Sequence, residues 1–407
     1  MTRGATVMPD MPQDIGDHPV ALRIRRPGPK RILAIDGGGL RGIVALAFLK
    51  RIESVLREQY GGRPEFRLRD HFDLIGGTST GAIIATGLAL GRSVDELIEV
   101  YRHLGRGLFT RHWWRFGLFG GRLSRQFLEE CLRREVGDRT LGTRDLTCAL
   151  VIIAKRLGTS SVWVLHNNPY SRYYNPPNQP DSAVPNRDFP LHKILRASTA
   201  APTYLEPELI EVAEGHTGFF IDGGVSPYTN PSLLLYLVAT VPSYGYGWEL
   251  GEEKLQLISV GTGAYRAQRD ESHLRRLPAA MIAAQALQSM IEDSSQLSHM
   301  VLQSMSRVGI PWLIDREAGA FDHPNSTDRL HLSYTRFDIR LDPAWIESQL
   351  GKRLTPSEFE LVTRWDAIAA LEPLFDLGTL AAERLVRAEL LRPAAPAGAP
   401  DPPLART

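Results

Sequence analysis

"HFDLIGGTSTGAIIATGLA", His71–Ala89, decides how this chain folds. It opens on "FDLIGG" (Phe72–Gly77), which reads as a short strand. It closes on the helix read over Thr80–Leu90, which is apolar nearly all round and so reads as buried. Between them Ser79 sits in Gly77-Thr78-Ser79-Thr80-Gly81, a G-x-S-x-G string. A strand that turns at once into a helix, with glycines on both sides of one serine, is the pattern of a nucleophile elbow. The glycines allow tight packing, and the helix N-terminus favours negative charge beside the hydroxyl. The rival reading is a glycine-rich turn or phosphate loop in which Ser79 only caps the helix.

Upstream, "RILAID" (Arg31–Asp36) reads as a strand and Ile43–Gln59 as a helix, with Leu46, Leu49, Ile52 and Leu56 near helical spacing. "IDGGGLRG" lies between them. Gly37, Gly39 and Gly42 satisfy G-x-G-x-x-G after a strand, which is a dinucleotide fingerprint. That fingerprint also needs an acid at the end of the next strand. There the chain has Gly76-Gly77-Thr78-Ser79, and Asp73 stands at the wrong end. The alternative is that Gly37, Gly38 and Gly39 present backbone N–H groups to an oxyanion, with Arg41 bracing the loop or adding positive potential. Arg41 also fits an ordinary surface arginine at a helix start.

Downstream, Val94–Leu104 reads as a helix. "CALVIIA" (Cys148–Ala154) and "SVWVLHN" (Ser161–Asn167) read as a pair of strands. "FFIDGG" (Phe219–Gly224) and "LQLISVGTG" (Leu255–Gly263) are two more, each ending in glycine. After Gly263 the pattern is mainly helical, over Pro278–Arg307 and Thr363–Leu391, with one late strand in Leu330–Leu341. Strands alternating with helices predict an α/β three-layer sandwich around a mainly parallel sheet. Such sheets place their sites at the carboxyl ends of strands. Asp222 opens "DGG" at one of those ends. It reads either as a loop aspartate or as the base that a serine nucleophile requires.

Three motifs in order, "DGGGLRG" (Asp36–Gly42), "GTSTG" (Gly77–Gly81) and "DGG" (Asp222–Gly224), resemble those of the bacterial patatin-like phospholipases. "RASTAAPTYLEP" (Arg196–Pro207) is similar to the small-residue stretch ahead of that family's aspartate. The resemblance covers about Arg31 to Gly263. It implies a patatin-like fold with a Ser79–Asp222 dyad and an acyl-enzyme on Ser79. It further implies an oxyanion hole at Gly37, Gly38, Gly39 and Arg41, elbow glycines Gly77 and Gly81, and neither metal nor cofactor. The implied activity is hydrolysis of acyl esters in phospholipids and lysophospholipids. Two alternatives remain open. One is a Ser–Asp–His triad using His273, His299, His323 or His331. The other is the same hydrolase gated by a cyclic-nucleotide signal, because some bacterial members of the family attack their own membrane on such a signal. A non-catalytic dinucleotide module is a third reading, and it lacks its ribose acid.

Composition bounds the rest. The 407 residues carry a net charge of +1, are 43% apolar and 23% charged, and hold two cysteines, Cys131 and Cys148. No global field argues for nucleic acid. Two cysteines make no disulfide framework and suit a reducing, cytoplasmic setting. The first thirty residues hold no apolar leader segment. The uncharged stretches Leu74–Gly91 and Gly223–Trp248 are broken by glycines, prolines and hydroxyl residues, so they read as core rather than membrane spans. Met1–Lys30 is expected to be a disordered arm and Arg392–Thr407 a disordered Pro/Ala tail. Residues 31–265 are expected to form the catalytic domain, and 266–391 a mostly helical part that completes the fold. "GLFTRHWWRFGLFGGR" (Gly107–Arg122) mixes aromatic and basic residues. It reads as a lipid-access edge carrying Trp113, Trp114 and Phe116, or as a buried helical hairpin. Peripheral membrane contact and a homo-oligomer are further expectations.

Overall fold

The computed structural model describes residues 16–108, 120–175, 183–202, 204–265, 277–315, 317, 319–321, 330–364 and 367–392. In chain order the elements are α1 (Pro19–Arg25), β1 (Lys30–Ile35), α2 (Gly42–Gln59), α3 (Leu68–His71), β2 (Leu74–Thr78), α4 (Thr80–Ala89), α5 (Val94–Leu108), α6 (Gly120–Val136), β3 (Ala149–Arg156) and β4 (Ser161–His166). Then come α7 (Leu191–Ser198), β5 (Glu208–Ala213), β6 (His216–Asp222), α8 (Ser232–Thr240), β7 (Leu255–Val260), α9 (Ala279–Ser304) and β8 (Ser306–Val308). The chain ends with β9 (Leu313–Asp315), β10 (Gly319–Ala320), β11 (Leu332–Phe337), α10 (Pro343–Leu350), α11 (Pro356–Thr363) and α12 (Leu371–Leu385).

The main sheet runs β5-β6-β3-β2-β1-β7-β11-β8, with β4 also paired to β3. From β3 to β8 every pairing on that path is parallel, while β4, β5 and β6 add antiparallel pairings at the other end. Strands β1, β2 and β7 are buried along their whole length, so both faces are covered by helices. That is why their apolar residues fall in consecutive runs such as Ile32–Ile35 rather than in strict alternation. β5 alternates buried and exposed residues, as a half-covered antiparallel strand should, and β6 becomes wholly buried over Phe220–Asp222 as it nears the site.

One detail of register builds the site. β2 runs along β3 until Thr78 lies opposite Ile153. β4 occupies the other edge of β3. β6 then takes over the edge that β2 vacates, running the opposite way, until Asp222 lies opposite Ala154. Two strands thus end tip to tip beside β3, and the residues at the meeting point are Ser79 and Asp222.

The expected strands and helices around the motifs are all present within a few residues. The N-terminal arm is corrected. Residues 1–15 lie outside the described residues, but Pro19–Arg25 is a helix with Val20, Ala21 and Ile24 in the core. Pro19 suits the first helical position, and the His18 ring caps the Val20 N–H. Arg23 donates to Asp73 at 2.8 Å and to three carbonyls around α3. Proline and charge content concealed three apolar residues at helical spacing. The C-terminal region is more than helical, since β11 and β8 extend the main sheet beyond β7. Residues 393–407 lie outside the described residues, as do Trp113, Trp114 and Phe116, between α5 and α6.

Candidate active site

Ser79 sits between β2 and α4 with φ 56° and ψ −127°. An L-residue held there costs about 1–3 kcal/mol, so the surrounding structure must impose it. It does so from both sides. A Cβ on Gly81 would collide with the Ile35 and Asp36 carbonyl oxygens, and one on Gly77 would collide with Gly81 itself. Both elbow glycines are therefore there for close approach of α4 to the strand ends. The Ser79 N–H donates to Ser198 Oγ at 2.9 Å, and Ser198 in turn donates to the Ile153 carbonyl at 2.7 Å. Ser198 lies in the small-residue stretch singled out before Asp222. Buried Arg196, from the same stretch, donates to the Glu206 carbonyl and so ties the stretch across itself.

The Ser79 hydroxyl donates to Asp222 Oδ2 at 2.6 Å. The other carboxylate oxygen accepts from the Gly224 N–H at 2.6 Å. Asp222 is buried, and no cation among the described residues stabilises its charge. Burial pushes its carboxyl up to about 6, against the pull of the Ser79 and Gly224 hydrogen bonds. It is still mostly ionised at neutral pH, yet a much better proton acceptor than a solvated aspartate.

The glycine loop lies over the serine: a Cβ on Gly37 would stand 3.2 Å from that of Ser79. The loop is pinned on several sides. The Gly37 carbonyl accepts from Thr262 Oγ1 at 3.1 Å, and the Gly39 carbonyl accepts from the Tyr101 hydroxyl. Gly37 N–H donates to the Thr229 carbonyl at 2.9 Å. That corrects one expectation, since the Gly37 N–H is already committed and cannot serve an oxyanion. Gly38 N–H makes only a long 3.3 Å contact with Thr80 Oγ1, which a stronger acceptor would displace. Arg41 lines the same cavity, and its Nε is buried without a hydrogen-bond partner. Burial lowers its pKa, with Asp338 and Glu292 opposing.

Behind the loop stands a group that sequence reading missed. Arg336 on β11 donates to both oxygens of Asp36, at 3.2 and 2.6 Å, and to Asp338 at 2.6 Å. It also donates to Ser259 Oγ at 2.8 Å. Arg336 and both carboxylates are buried. Asp36 is the residue just before Gly37, so this network fixes the root of the loop. Its only sequence signal was "YTRFDIR", a charge pair inside an otherwise buried strand.

The cavity has a volume of about 1650 Å³ and reaches from Ser79 and Asp222 to the start of α10. Ile83, Leu128, Leu205, Val225 and Ile291 give it apolar walls. His299 lines it too, but bonds the Tyr334 hydroxyl and Asn230 rather than the dyad. Burial holds it neutral. His331 bonds Tyr236, and His273 and His323 lie outside the described residues. The described residues hold no cluster suited to a metal ion. Among them, no helix is long and apolar enough to cross a membrane.

The family profile described as patatin-like phospholipase matches residues 33–235, a span that contains the glycine loop, the elbow and Asp222. A cUMP-AMP-activated phospholipase of Escherichia coli is 29% identical over 311 residues, which is 76% of this chain and 87% of that protein. A cGAMP-activated phospholipase of Escherichia coli strain TW11681 is 29% identical over 238 residues, 57% of this chain and 62% of that one. Among solved structures, human GIVD cytosolic phospholipase A2 is similar over 93% of this chain and 62% of its own, with 9% identity and a TM-score of 0.41. The motifs, the family profile and these two sequence relatives agree: the chain belongs to the patatin-like phospholipase family and is a phospholipase of the serine-hydrolase type.

Proposed function

We propose that Ser79 is the nucleophile and Asp222 the general base of this phospholipase. The observation that carries the reading is the 2.6 Å bond from the Ser79 hydroxyl to Asp222 Oδ2, made from a strand-to-helix turn with a φ of 56°. Ser79 Oγ attacks the ester carbonyl while its proton passes to Asp222. The resulting oxyanion is met by the N–H groups of Gly38 and Gly39 and by the N-terminal end of α4. Asp222 returns the proton to the leaving alcohol oxygen as the acyl-enzyme forms. Water then attacks that ester with Asp222 again as base, and Ser79 is regenerated. Arg41 adds positive potential beside the loop. The apolar cavity walls suit an acyl chain, and the two buried, unpaired cysteines suit a cytoplasmic enzyme that meets its substrate at a membrane surface.

A fluorophosphonate probe tests the dyad. Wild type is expected to label at Ser79, and Ser79→Ala and Asp222→Ala are expected not to label. Labelling that survives Asp222→Ala moves the base elsewhere.

A second reading concerns control. The relatives named as activated by cUMP-AMP and cGAMP favour a cyclic-nucleotide activator here, and this chain spans 87% of the first of them. Hydrolysis of phospholipid vesicles should then rise saturably with one member of a cyclic-dinucleotide panel. Full activity without any nucleotide would refute gating.

A further inference from the structure

Helix α9 has a surface that the fold does not use. Leu277–Ile291 contains no charged residue. Within it Met281, Ile282, Leu287 and Met290 are 51%, 49%, 50% and 64% exposed. Four large apolar side chains in under three turns form a patch that water covers poorly. They do not form a stripe. At about 100° per residue, Ile282 lies about 100° round the helix from Met281, Met290 about 180° and Leu287 about 240°. A partner helix covers one stripe along its neighbour. Side chains spread over so much of the circumference are covered together only by a medium that is apolar on most sides. The patch is also continuous with the active-site cavity. Leu287 and Ile291 form part of its wall, as does Leu313, itself 48% exposed.

We propose that the Met281–Met290 half of α9 sinks into the surface of a phospholipid bilayer and so holds the mouth of the Ser79 cavity against it. The inference rests on bilayer lipid being the substrate. The helix lies in the interface rather than spanning it, as its uncharged length is too short to cross. A bilayer lipid then reaches Ser79 by sliding along Leu287 and Ile291 without passing through water.

The test uses the full chain and vesicles of phosphatidylethanolamine and phosphatidylglycerol. The double variant Ile282→Lys/Met290→Lys is expected to lower the vesicle-bound fraction about tenfold or more. Fluorophosphonate labelling of Ser79 and turnover of a short soluble ester should stay at wild-type level, which separates failed docking from a failed dyad. Unchanged vesicle binding would overturn the proposal. A Met290→Cys protein carrying a polarity-sensitive dye gives a second readout, because Cys131 and Cys148 are buried. Its emission should rise on adding vesicles at fixed protein concentration. A rise with protein concentration alone would overturn the proposal in favour of a second copy covering the helix.

Discussion

Asp222 and Asp36 each end a strand of one sheet, each is buried, and each stands at one side of the glycine loop. Their partners separate them. Asp36 faces the Arg336 guanidinium through two hydrogen bonds, with Asp338 completing the network. Asp222 faces a neutral hydroxyl and one backbone N–H. Burial raises both carboxyls, each to about 6, against the pull of the Arg336 guanidinium at Asp36 and of the Ser79 and Gly224 hydrogen bonds at Asp222. What separates them is the proton each could take: the Asp36 oxygens are held by a guanidinium that does not give one up, whereas Asp222 accepts from a hydroxyl whose proton a general base has to receive.

The largest effect should come on the Asp222 side. Asp222→Asn keeps the shape but removes the base, and turnover of a soluble ester is expected to fall by about 10⁴-fold. Its fold should survive, so the loss should appear in kcat with an unchanged far-ultraviolet spectrum. Turnover within about tenfold of wild type would break the comparison, because Asp222 would then be as structural as Asp36.

The Asp36 side should fail in the opposite way. Arg336→Met leaves two carboxylates buried without a cation, and is expected to cost about 3–5 kcal/mol in denaturant unfolding. The glycine loop should lose its root with it. A mild loss, under about 1 kcal/mol, would mean that water or rearrangement supplies what Arg336 now does.

The contrast also shows what the sequence could reveal. Ser79, Asp222 and the loop were legible because their chemistry is local. Gly77, Ser79 and Gly81 sit within five residues, and each motif lies at a strand end that its own apolar run predicts. Arg336 was not legible, because its partner lies 300 residues earlier and meets it only through the β1-β7-β11 pairing. Tyr101 and Thr229 were hidden for the same reason, since each reaches the loop through a backbone group. The committed N–H of Gly37 could be seen only once Thr229 was in place. The helix at Pro19–Arg25 was a failure of another sort. Composition averaged over thirty residues hid a seven-residue helix whose Val20, Ala21 and Ile24 lie at helical spacing.

pH sharpens the Asp222 side further. With the carboxyl pushed up to about 6, kcat/KM on a soluble ester should fall as pH drops through 6, as the base becomes protonated. Stability should move the other way. The folded state holds this proton more tightly than the unfolded chain, whose aspartate titrates near its ordinary value of 3.8. The burden of the buried charge is therefore full above pH 6 and lifts between about 6 and 4. Asp222→Asn removes that burden, and should raise unfolding free energy at pH 7.5 by roughly 1–3 kcal/mol. A stabilised, inactive variant is the expected pairing, while a destabilised one would show that the charge is better solvated than its burial implies.

The smallest effect concerns the elbow. Ser79→Gly loses the nucleophile and also relieves the positive φ of 56°. Glycine loses more backbone entropy on folding than serine, about 0.5–1 kcal/mol, but it occupies this region without the strain of about 1–3 kcal/mol. The net expectation is a gain of about 1 kcal/mol over Ser79→Ala, which keeps the strained angle. The two variants lack the same hydroxyl and the same bond to Asp222, so their difference isolates the backbone. If Ser79→Gly is instead the less stable of the two by about 0.5–1 kcal/mol, the elbow is not strained, and Ser79 is displayed by the packing of Gly77 and Gly81 alone.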